Sequence, residues 1–143
     1  MDYAAEAFGR FDPQRDADAA VKFALNCLLM SGRPERLAPM LAGTTPVLGL
    51  AGEPGWELER RNPNPPDPSA YDDWPPWGEY RAYVDPEEYE LAHPEAFYDA
   101  RTFAGYVWVA LAVYGRRHPE DMPLVARLLD LLPKRPAEAA AAG

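Results

Sequence analysis

The sequence predicts a single, mainly α domain of four to five helices, crossed by a long proline-rich central loop that holds a small β-hairpin. Three observations predict it. The chain has 143 residues, 48% hydrophobic and 26% charged, which suits one globular domain rather than a disordered chain. Proline suits the first turn of a helix, where its missing amide donor costs nothing, and Pro13, Pro34, Pro86, Pro94 and Pro119 each head a helix-like stretch. Apolar residues then recur at helical spacing in three stretches, 17–29, 97–114 and 124–132. The domain is expected over 1–135, with 44–85 as the loop excursion and 136–143 as a flexible alanine-rich tail.

The elements follow in order. Asp12 and Pro13 are read as cap and first turn of a helix through Leu29, ended by Ser31-Gly32. A short helix from Pro34 to Leu41 stops at Gly43, and the two form an αα-hairpin. Val47 to Leu50 and Trp56 to Arg60 flank the loop Ala51 to Gly55 as a small hairpin. The run Asn62 to Pro68 is too rich in proline for helix or central strand. Tyr80, Ala82 and Val84 alternate with Arg81 and Tyr83, the pattern of a short strand. Asp85-Pro86-Glu87-Glu88 starts one or two helical turns, and His93-Pro94-Glu95 opens the longest helix, to about Arg117. Its second half is apolar nearly all round, with Trp108 in the core. His118-Pro119-Glu120-Asp121 caps a last amphipathic helix, stopped by Pro133.

Composition narrows the chemistry. A net charge of -9 argues against a protein that grips nucleic acid by its phosphates. One cysteine, Cys27, leaves no intramolecular disulfide framework and is read as an inert buried thiol. The two histidines, His93 and His118, are read as parts of helix caps rather than as metal ligands. Asp72, Asp73 and Glu79 lack the spacing of a calcium loop. No phosphate loop, zinc signature or nucleophile elbow is present, so neither a cofactor nor a metal is expected, and the chain reads as a binder rather than an enzyme. The first residues lack a secretory signal and the longest apolar run, Phe103 to Tyr114, is too short to span a bilayer, so a cytoplasmic protein is expected.

The charge is segregated. From Asp67 to Asp99 there are ten acids and one base, Arg81, so this window alone accounts for the net charge. The same window is rich in tyrosine and tryptophan, the residues enriched at interface hot spots. The acids expected to carry a contact are Asp72, Asp73, Glu79, Asp85, Glu87 and Glu88. The aromatics expected beside them are Tyr71, Trp74, Trp77, Tyr80 and Tyr83. Carboxylates around aromatics steer a basic partner and speed its association. The expected function is therefore a small acidic inhibitor that neutralises a basic protein by direct binding. An immunity protein against a nuclease-type bacterial toxin is the favoured setting. A phage-encoded inhibitor of a nucleic-acid-targeting defence complex would use the same physics. A small enzyme with a carboxylate-lined pocket is the rival from another class, and its mark would be a strongly raised carboxyl pKa in a cleft.

Overall fold

The alternation at residues 80–84 belongs to a full sheet. The computed structural model describes residues 3–43 and 49–133. Among them a four-stranded antiparallel sheet, in order β1-β2-β3-β4, joins five α-helices. The fold is α+β, which corrects the expectation of a mainly or all-α domain with at most a hairpin.

The hairpin is present as β1 (Gly49–Gly52) and β2 (Trp56–Arg60), closed by Glu53-Pro54-Gly55. Val47 and Leu48 lie outside the described residues, as does the tail 136–143. Gly55 sits at φ +76, and a Cβ there would lie 2.9 Å from Asp85 Cβ and Glu88 Cγ. A glycine is thus what lets the hairpin tip meet the turn after β3. The short strand expected from alternation is β3 (Tyr80–Val84). The largest departure is β4 (Glu95–Tyr98), which pairs with β3 where the sequence reads as the start of the long helix. A proline and an acid also suit the start of an edge strand, and four residues are too few for periodicity to separate the two states.

The long helix, α4 (Ala100–Arg117), begins instead at Asp99, whose Oδ1 accepts from the Thr102 amide at 2.7 Å. A helix-dipole match closes its other end, where Arg116 and Arg117 lie in the last turn. Both arginines pair with Glu6 of an unexpected N-terminal helix, α1 (Ala4–Phe8), at 3.1 and 2.6 Å. Asn26 Oδ1 holds the start of α1, accepting from the amides of Tyr3 and Ala4.

The next helix, α2 (Ala19–Met30), starts later than the sequence reading. Asp12 closes a turn rather than capping a helix: its Oδ1 accepts from the Gln14 amide at 3.0 Å and its carbonyl from the Asp16 amide at 2.9 Å. A 3-10 turn over Pro34–Leu37 runs into α3 (Ala38–Ala42), ended by Gly43 at φ +74. Asp85 to Tyr89 is a single turn, not a helix. The last helix, α5 (Met122–Leu129), follows a 3-10 turn over Pro119–Asp121.

The core lies between one face of the sheet and α2 and α4. Trp56, Leu58, Tyr80, Ala82, Val84 and Tyr98 point inward from the strands. Leu25 and Leu28 of α2, and Phe103, Val107 and Leu111 of α4, meet them in one buried cluster. Trp108 is half-buried, which corrects its assignment to the core. Among the described residues no helix is long and apolar enough to cross a membrane.

Candidate functional site

Period-two alternation that sends Trp56, Leu58, Tyr80 and Ala82 inward sends Glu57, Glu59, Arg81 and Tyr83 outward. Register sets Glu57 opposite Tyr83, Glu59 opposite Arg81, Tyr83 opposite Glu95 and Arg81 opposite Phe97. Arg81 therefore sits at the centre of the outer face. It pairs with Glu95 at 2.6 Å, Glu59 at 3.6 Å and Glu57 at 3.8 Å, and its guanidinium lies 4.6 Å from the Tyr83 ring. One cation among three carboxylates leaves this face negative. Partial burial pushes the Glu59 carboxyl up, Arg81 pulls it back, and Glu57 raises it further.

The proline-rich segment is pinned to this face. Trp74 packs 5.2 Å from Phe97, and Tyr71 meets Trp74 edge-on at 4.8 Å. Arg61 stacks over both rings and donates to the carbonyls of Gly78 at 2.7 Å and Pro75 at 3.0 Å. The Asn62 amide donates to the Tyr71 hydroxyl at 2.8 Å. Tyr71 and Trp74 thus hold the loop in place, half-buried. Trp77 is left outside this packing and is 61% exposed.

The sequence-selected residues fall into different surroundings. Tyr80 is 4% exposed and faces the core, so it presents nothing to a partner, which corrects its place among the contact residues. Glu79 is tied to Arg60 at 3.0 Å, and Arg60 also donates to the Met40 and Leu41 carbonyls. Asp85 is half-buried and its Oδ1 accepts from the Glu87 amide. Asp72, Asp73, Glu87 and Glu88 are exposed, and Tyr83 is half-exposed on the sheet. Glu57, Glu59, Glu95 and Phe97 share this outer face although the sequence reading did not select them. Trp56-Glu57-Leu58-Glu59 already put both glutamates on one side of a strand, so that part was visible in the sequence.

Other groups are less suited to chemistry. The buried carboxylate Asp16 is held below the usual range, first by the Asp12 amide and also by Lys22, against its burial. The carboxyl that is pushed up, Glu59, lies on the open sheet face. His118, Glu120 and Asp121 bring one potential ligand atom each within 4.8 Å of one another. His118 Nε2 is already engaged by the Tyr3 hydroxyl at 2.8 Å, and Asp121 accepts from Tyr114 at 3.1 Å, so the group reads as the packing that precedes α5. Cys27 is half-buried against the core. His93 is exposed and precedes β4 rather than a helix, which corrects its reading as a cap.

Comparison with family models, with curated proteins and with solved structures finds no match to this chain.

Proposed function

We propose that the protein is a small acidic inhibitor that works in the cytoplasm by binding a basic protein through the outer face of its sheet. The observation that carries this reading is the Arg81 cluster: three glutamates surround one arginine on the outward-facing side of the antiparallel sheet. A strand-borne surface is rigid, so its charges are already arranged before a partner arrives. Exposed Trp77 and half-exposed Tyr83 supply the apolar anchors such an interface needs. Nucleases expose basic clefts for phosphates, and a rigid array of carboxylates plugs such a cleft. An immunity protein against a nuclease-type toxin is the setting that this pairing favours.

The test is co-expression with toxin nucleases from the source genome, followed by purification of the complex and binding kinetics. A stoichiometric complex in which nuclease activity is lost supports the reading. A protein that binds no basic partner, or whose complex is unaffected by Glu57→Lys with Glu95→Lys, overturns it.

A further inference from the structure

β4 is an edge strand, and among the described residues no further strand pairs with its other side. The Pro94 carbonyl accepts from the Val84 amide at 2.9 Å, and the Tyr98 carbonyl from the Glu79 amide at 2.9 Å. Pro94 and Tyr98 therefore turn their backbone toward β3, and by alternation Glu95 and Phe97 turn theirs away from the sheet. A cleft of about 580 Å³ runs along that side. Ala96, Phe97 and Tyr98 line it in succession. Neighbouring side chains on a strand point to opposite faces, so three in a row form a wall only along the strand's edge.

The opposite wall carries charge. Arg10 reaches Asp16 only at 3.7 Å and Arg15 reaches Asp12 only at 3.9 Å, so both guanidiniums keep most of their donors for solvent. Below them Lys22 Nζ lies 3.2 Å from both Asp16 and Asp18. Lys22 is matched by Asp16 and Asp18, so Arg10 and Arg15, exposed and only loosely paired, are the cations this wall offers on a chain of net charge -9. One group in the wall is unmet. Tyr98 is 7% exposed, and its hydroxyl has no hydrogen-bond partner among the described residues. A buried donor without an acceptor is costly in a native protein, and Tyr98 belongs both to the core and to the lining of this cleft.

We propose that this edge takes an extended acidic peptide segment of another protein as an added fifth strand, with Arg10 and Arg15 reading its carboxylates. The backbone of Glu95 and Phe97 supplies the ladder, and the arginines supply the preference. Long-range repulsion from the acidic chain is screened within about 8 Å at physiological salt. The site shares β4 with the outer face proposed for a basic partner but does not rest on that reading.

The probe is a short fluorescein-labelled peptide of alternating valine and glutamate, titrated with the full chain at physiological salt and read by anisotropy. Saturable binding is expected. It should weaken roughly tenfold, the equivalent of about 1.4 kcal/mol, when alternate peptide amides are N-methylated or when lysine replaces glutamate. The double variant Arg10→Glu with Arg15→Glu should weaken it by a similar factor. The Glu95 and Phe97 amides should gain protection from hydrogen exchange. Tyr98→Phe should weaken binding while the melting temperature of the free protein stays level or rises. Failure of the glutamate peptide to bind saturably, or equal binding of the N-methylated peptide, overturns the proposal.

Discussion

Tyr80 of β3 lies flat on Phe103 of α4, with ring centroids 4.0 Å apart and planes 6° from parallel. This stack joins the sheet to the long helix at a point where Phe103 is fully buried. Its removal leaves a hole between two layers that cannot both move in. Phe103→Ala is therefore expected to cost about 3–5 kcal/mol in denaturant unfolding, a large share of an ordinary domain's stability. Trp108 is larger but only half-buried, so Trp108→Ala should cost less. The reverse order would mean that α4 presents another face to the sheet.

Asp99 makes a second prediction, about pH. Its carboxylate is held below the usual range, first by the Thr102 amide it caps. A folded pKa below the unfolded one means stability that is present above about pH 4 and is lost as pH falls through the folded value. Asp99→Ala should cost about 1 kcal/mol near neutral pH. The gap between variant and parent should narrow below about pH 4, measured as the difference in melting temperature. A constant gap would assign the loss to something other than the charged cap.

The tyrosines give the alkaline counterpart. Burial, with a hydrogen bond to Asp121, pushes Tyr114 up to about 12. Burial raises Tyr98 and Tyr106 further, and Tyr106 also donates to Asp18 at 2.6 Å. A raised folded pKa means stability that is intact below the unfolded value near 10 and is lost as pH rises through the folded one. Ultraviolet titration should show Tyr98 and Tyr106 ionising only as the protein unfolds. Ionisation of Tyr98 and Tyr106 in the folded protein near pH 10 would contradict their raised position.

Much of the helical layer was legible from the sequence, because α2, the second half of α4 and α5 carry periodic apolar stripes longer than two turns. The sheet was legible only in part. The β1–β2 hairpin and β3 show alternation, whereas β4 is four residues whose proline and acid mimic a helix start. The short helix α1 has no stripe of its own and forms because Asn26 and two distant arginines take its ends, which no local pattern records. The acidic character of the surface was visible as charge segregation. Its centre was not, since Glu57, Glu59 and Glu95 become neighbours of Arg81 only through strand register.

Two tryptophans near each other in sequence should behave differently. Trp74 packs on Phe97 and under Arg61, while Trp77 is mostly exposed. Trp74→Ala is expected to loosen the 62–78 segment, seen as faster amide exchange there. Trp77→Ala should leave exchange and melting unchanged and raise the off-rate from the partner, because a contact aromatic contributes area on binding. Equal effects of both on stability would place Trp77 in the packing after all.

The outer face carries the final prediction. Glu57→Lys with Glu95→Lys turns two of the three carboxylates around Arg81 into cations, so the local field changes sign. Both positions are solvent-facing strand sites, so circular dichroism should show a folded chain. Association with a basic partner should slow by roughly one to two orders of magnitude at low salt, because steering depends on the sign of the field. The gap should shrink as salt rises and charges beyond about 8 Å are screened. Reversing Asp72 and Asp73, exposed on the covering loop, should act in the same direction but less, since they are not held by strand register. Kinetics at two salt concentrations separate these outcomes. An association rate unchanged by the sheet pair, in a folded variant, would leave the Arg81 cluster as solvated surface and remove it from the interface.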